Sequence, residues 1–183
     1  AGDALIIAPR NGAEMMLLLP DSTLHEISVE AIVQGGDYRE GYALVLGQAA
    51  NNTTRVSLFK LTQAAPLLNL SFSEQGRPVR VSFAKSGQFF DVLLVDFSEG
   101  KPVTRVQRFD FKGELVTDRS YSDFGFMPAI HQLDEEDQIL FNECDMVAVD
   151  PGTGKLRLFR SFDQIVQMEL KSGCLGVRAV DEG

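Results

Sequence analysis

The chain has 183 residues, 44% of them hydrophobic, with a formal net charge of −9. That is enough apolar material for one core, since a domain of this size buries roughly 70% of its unfolded surface, and a single domain over 1–183 is the expectation. The acidic balance repels phosphate backbones and anionic lipid, which argues against nucleic-acid binding. No apolar run approaches the ~20 residues that a membrane-spanning helix needs.

The first segments alternate short apolar runs with turn formers. The N-terminus AGDALIIAPR has no charged leader, so no signal peptide is expected. Ala4–Ala8 and Ala13–Leu19 flank Asn11-Gly12, a strong two-residue hairpin signal. His25–Val33 is expected as one strand, because Ile27, Val29, Ile32 and Val33 are β-branched. Gly35, Gly36 and Asp37 are expected to break the chain. Tyr42–Leu46 is an apolar run, Ala49–Thr54 a polar turn, and Arg55–Leu61 alternates with period two.

The pattern continues through the middle of the chain. Leu67–Phe72 and Val79–Phe83 flank a turn at Glu74–Pro78. Phe89–Phe97 leads through Ser98-Glu99-Gly100-Lys101-Pro102 into Val103–Phe111, which alternates almost strictly. Asp118–Gln138 is the least regular part. Ile139–Phe141, the hairpin Asp145–Phe162, Ile165–Leu170 and Cys174–Val180 complete the strands. Tyr42–Leu46, Arg55–Leu61, Leu67–Phe72 and Val79–Phe83 are each too short for a stable helix, while a helix over Leu24–Ile32 is the alternative to the strand there.

The hairpin at Asp145–Phe162 is the clearest element. Asp150, Pro151, Gly152, Thr153 and Gly154 are turn formers between Met146–Val149 and Lys155–Arg160. Pro151 presets φ, glycine accepts positive φ, and the Asp150 side chain accepts backbone hydrogen bonds two residues on. Comparable segments begin near Leu5, Ala43, Val92 and Met146, at intervals typical of propeller blades of about 40–50 residues. The expected fold is therefore all-β: propeller-like repeats of antiparallel sheets, about four units. Ala4–Ala8 and Cys174–Val180 would then pair to close the ring and remove exposed edges. A β-sandwich, or part of a larger propeller, is the alternative architecture.

Ala148–Leu158 (AVDPGTGKLRL) resembles the repeat of quinoprotein-like β-propellers. Ala148, Val149, Asp150, Thr153, Gly154 and Lys155 match that repeat. Leu158 stands where the family has the Trp that packs between blades, and this chain has no Trp. The resemblance implies a propeller fold. The family holds both cofactor-using dehydrogenases and cofactor-free assembly scaffolds, so no activity follows from it.

Recognised catalytic patterns are absent. A phosphate-binding loop at Gly152-Thr153-Gly154-Lys155 would need a glycine where Val149 stands and a hydroxyl residue where Leu156 stands. There is no G-x-S-x-G nucleophile elbow. The two histidines are His25, in a strand beside Glu26, and His131, in the irregular segment near Asp134, Glu135, Glu136 and Asp137. Those four acids are the one candidate metal site, although they lack the alternating spacing and glycine of a calcium loop.

Tyr121, Phe124, Phe126, Met127 and His131 make an aromatic-rich segment. Exposed, it would bind a partner, because aromatics and Met are enriched at interface cores; buried, it fills space. Cys144 and Cys174 would form one disulfide in a secreted protein and stay free otherwise. Asn51, Asn52 and Asn69 open N-x-S/T sequons, relevant only in a eukaryotic secretory pathway.

These features together point to a non-catalytic binding or scaffolding module outside the cytoplasm. It would recognise a protein or small ligand through loops on one face, with no cofactor. The rival readings are a hydrolase or lyase centred on His131 and the acidic loop, and an intracellular interaction protein with reduced cysteines.

Overall fold

The computed structural model describes residues 5–7, 12–19, 21–50, 53–63, 65–72, 76–85, 87–97, 100–132, 138–171 and 174–180. Among them the chain forms seventeen strands, and no helix is long and apolar enough to cross a membrane. The first sheet holds β1 (Leu5–Ile7), β2 (Glu14–Leu18) and β3 (Leu24–Ser28). The second holds β4 (Ile32–Arg39), β5 (Tyr42–Gln48), β6 (Thr54–Lys60) and β7 (Leu68–Phe72). The third holds β8 (Arg77–Phe83), β9 (Phe89–Asp96), β10 (Val103–Asp110) and β11 (Leu115–Tyr121). The fourth holds β12 (Ala129–Gln132), β13 (Gln138–Phe141), β14 (Asp145–Val149) and β15 (Leu156–Ser161). The fifth pairs β16 (Gln164–Lys171) with β17 (Cys174–Val180).

Every sheet is an antiparallel meander, as short loops between consecutive strands dictate. The expected propeller-like arrangement of four-stranded antiparallel sheets is what the chain adopts. The first strand β8 lies against both β4 and β12, the first strands of the neighbouring sheets, so these strands form the inner side of the stack.

Successive sheets bury apolar clusters between them. Met15 and Leu17 of β2 pack on Ala43, Val45 and Phe59. Leu44, Leu46, Val56 and Leu58 pack on Phe90, Val92, Leu94 and Phe109. Leu93 and Val106 pack on Ile130, Leu140, Val147 and Val149. Ile139, Met146 and Ala148 meet Ile165, Met168, Leu175 and Val177. The second strands β5 and β9 are thus covered on both faces, which is why YALVL and FFDVLLV read as continuous apolar runs rather than alternating ones.

Several expectations need correction. His25–Val33 is not one strand: β3 ends at Ser28 and β4 starts at Ile32, because the chain must cross from the outer strand of one sheet to the inner strand of the next. Gly35 and Gly36 do not break the chain but lie inside β4, where the register on β5 shifts between Val33 and Gly35. A glycine there absorbs a bulge without side-chain cost. Asp118–Gln138 is more regular than expected, since it contains the end of β11, a 3-10 turn at Ser122–Phe124, and β12. The terminal strands do not close a ring among the described residues: β1 pairs with β2, and β17 with β16. Asn11, Asn51 and Asn52 fall outside the described residues; Asn69 is exposed and accepts a 2.6 Å hydrogen bond from the Ser57 hydroxyl.

The Asp150 turn forms as its residues dictate. Asp150 Oδ1 accepts from the backbone N–H of Gly152 and of Thr153, both at 2.9 Å, and these donors hold its carboxyl below the usual range. Gly154 donates to the Asp150 carbonyl at 2.7 Å and takes a φ of +73°. A Cβ at Gly154 would come within 2.9 Å of Arg119 Cδ. Gly154→Ala is therefore expected to cost about 1–3 kcal/mol from left-handed backbone strain, readable as a lower midpoint in urea unfolding. Leu158, at the family's Trp position, is on the same face as its partner Ala148 but remains 37% exposed. The fifth sheet has only two described strands.

Candidate functional site

Antiparallel pairing brings chain ends together on one edge of the stack. Arg77↔Val95 and Val103↔Asp96 set the start of β8 beside the end of β9 and the start of β10. Gln34 of β4 and Phe126, just before β12, approach from the neighbouring sheets. Together they line an open groove of about 610 Å³ with Pro78, Val79, Phe97 and Pro102. Phe97 is 62% exposed. Its position explains this: β9 ends at Asp96, so the next residue of the apolar run leaves the sheet.

A second groove of about 280 Å³ follows on the same edge, between the fourth and fifth sheets. It is lined by Pro128, Ala129, Phe141, Glu143 and residues 165–168. Its wall is fixed by backbone: the Ile165 N–H donates to the Glu143 carbonyl at 2.6 Å, and Asn142 Oδ1 accepts from the N–H of Cys144 (2.8 Å) and of Asp145 (2.6 Å). Phe126 and Pro128 stand only two positions apart, so one short segment separates the two grooves.

That segment is held from below. The Thr104 hydroxyl donates to the Gly125 carbonyl at 3.1 Å and accepts from the Met127 N–H at 2.6 Å. Met127 and Tyr121 are buried in the core between the third and fourth sheets, and burial pushes the Tyr121 hydroxyl up to about 12. Phe124 stacks on Phe159 at 5.6 Å. Of the five aromatic-segment residues, then, Phe126 reaches the groove, while Tyr121, Phe124 and Met127 shape its support.

His131, on β12, stacks on Phe141 at 5.3 Å and is half-buried. Burial first, and the Arg80 charge second, lower its pKa. The neutral form is therefore favoured in the folded chain. Its contribution to stability is fully present above the unfolded value of about 6.5 and falls as pH drops through that value towards the lower folded one. Melting curves should show Tm falling as pH drops through the unfolded value of about 6.5, a loss that His131→Gln largely removes.

Asp134, Glu135, Glu136 and Asp137 lie outside the described residues. Among the described residues, no three His, Cys, Asp or Glu side chains cluster as metal ligands. Cys144 and Cys174 are both exposed free thiols, not joined as a disulfide; the Cys144 thiol points to the Asp163 carbonyl instead, at 3.4 Å. Sequence reasoning missed Phe97, Pro78, Pro102 and Arg77. The available signal was Phe97 itself, the last apolar residue before the polar run Ser98-Glu99-Gly100-Lys101 in the sequence.

No family model matches this chain, and no curated protein matches it in sequence. Solved structures do. A protein of unknown function from Bacteroides caccae superposes with a TM-score of 0.59 at 12% identity, over 100% of this chain and 74% of that one. The β-propeller domain of Cps50 (Swd1) from Myceliophteria thermophila superposes with a TM-score of 0.54 at 14% identity, over 98% of this chain and 62% of that domain. At such identities the likeness is one of fold, and the fold this chain is similar to is the β-propeller.

Proposed function

We propose that this chain is a non-catalytic binding module that recognises a segment of a partner protein on the edge carrying the two grooves. The observation that carries this reading is the apolar groove of about 610 Å³ with Phe97 standing 62% exposed at its wall. Isolated surface apolars need no explanation, but a contiguous apolar hollow with aromatic walls is a common form of binding site. The groove sits on a rigid support: the Thr104 hydroxyl donates one hydrogen bond and accepts another, and these fix the backbone around Phe126. A preorganised surface loses less conformational entropy when it binds. The propeller fold of the similar structures supports the same reading, since this architecture gathers loops at the sheet ends.

The test is selection of a random peptide library displayed on phage against the immobilised chain. Enriched clones are expected to lose about 30-fold or more in affinity on Phe97→Asp, as loss of an aromatic anchor of about 2 kcal/mol or more implies. Enrichment of clones indifferent to Phe97→Asp and Phe126→Ser, or no enrichment at all, would overturn the proposal.

A further inference from the structure

Each groove is lined by one exposed charged residue, and the two are of opposite sign. Arg77 is exposed beside Pro78 in the larger groove, and Glu143 is exposed beside Phe141 in the smaller one. Neither side chain has a hydrogen bond or ion pair among the described residues. Arg105, by contrast, bridges Asp118 at 2.5 Å and Asp96 at 3.5 Å. The linings of both grooves are mostly apolar, with Phe97 and Phe126 in the larger and Pro128 and Val166 in the smaller, and Val166 is 53% exposed.

We infer that the partner is an extended peptide segment of opposite end charges. It lies across both grooves over the Phe126–Pro128 segment, with an acidic residue at Arg77, a basic residue at Glu143 and apolar anchors between them. This rests on the binding-module reading and adds the charge order of the ligand. Exposed complementary charges contribute little affinity but select the register in which an apolar segment docks. The anchors supply the attraction, and the wrong end charge at either rim disfavours the competitor.

Three display libraries distinguish this from a purely apolar preference. Each has a random, apolar-rich centre; the fixed flanks are Asp at one end and Lys at the other, Asp at both, or Lys at both. The unmodified chain is expected to enrich the mixed-flank library most strongly. Arg77→Glu should shift enrichment to the Lys-flanked library, and Glu143→Lys to the Asp-flanked one. Clones from the mixed library should weaken about fivefold on either variant, the factor for 1 kcal/mol at a rim pair, and should weaken less at high salt. Equal enrichment of the three libraries, or no shift with either variant, overturns the charge order. If those same clones still depend on Phe97, the binding-module reading stands without it. If nothing enriches, both readings fall.

Discussion

Asp91→Ala is expected to lower the unfolding free energy by about 3–5 kcal/mol, the loss typical of removing one partner from a buried ion pair. Asp91 is 1% exposed, in the middle of the apolar strand β9. Its carboxylate accepts two hydrogen bonds from Arg108, each at 2.8 Å, and one from Gln138 Nε2, also at 2.8 Å. Arg108 is its register partner on β10, while Gln138 belongs to β13 of the next sheet. The side chain therefore joins two sheets as well as two strands. Removing it leaves a guanidinium and an amide facing an apolar interior.

Replacing the whole charge pair is expected to cost far less. Asp91→Leu combined with Arg108→Met should recover most of the loss, because no charge is left without its partner. Urea unfolding of the three proteins is the measurement. A single-variant loss under about 1 kcal/mol would mean that water reaches the pair, as it does at surface bridges. The pair also bears on binding, since Gln138 ties the sheet following Phe126 to the sheet that carries Phe97. Asp91→Ala should weaken groove binding even under conditions where the chain stays folded.

Phe90→Ala should cost a similar amount, about 3–5 kcal/mol, as core Phe-to-Ala replacements do. Phe90 is fully buried between the second and third sheets. Its ring stacks on Phe109 at 5.7 Å, and Phe109 in turn meets Phe72 edge-on at 6.1 Å. Loss of the ring opens a cavity at the centre of that aromatic group, and the sheets can close over it only by sliding together. In calorimetry the loss corresponds to a fall in Tm on the order of 10 °C for a chain of this length. Phe90→Leu keeps most of the volume and should lose much less. Equal losses for both variants would show that ring stacking, rather than filled volume, stabilises this layer.

Local chemistry made much of the fold legible. The Asp150 turn follows from its residue types, because aspartate, proline and glycine each satisfy one backbone demand of a tight reversal. The β-branched and aromatic runs identified the strands, and their spacing identified repeated sheets. The boundary around Ser28–Ile32 was misread, because apolar residues continue through the crossing between sheets and periodicity carries no mark of the change. Nothing local marks the role of Asp91 within FFDVLLV. Its partner Arg108 lies seventeen positions on and Gln138 forty-seven, and nothing local pairs them.

The binding edge was less legible for the same reason. The segment from Tyr121 to Met127 was visible as aromatic, but composition does not say which rings face inward. Packing decided that: Tyr121 and Met127 fill the space between two sheets, while Phe126 is left at the surface beside Phe97. By itself the sequence determined the class of structure, because strand and turn propensities act over a few residues and repeat along the chain. Only the tertiary structure decided which apolar residues were covered, which charges met and where the grooves opened. Those outcomes depend on antiparallel register and sheet stacking, which bring together residues tens of positions apart.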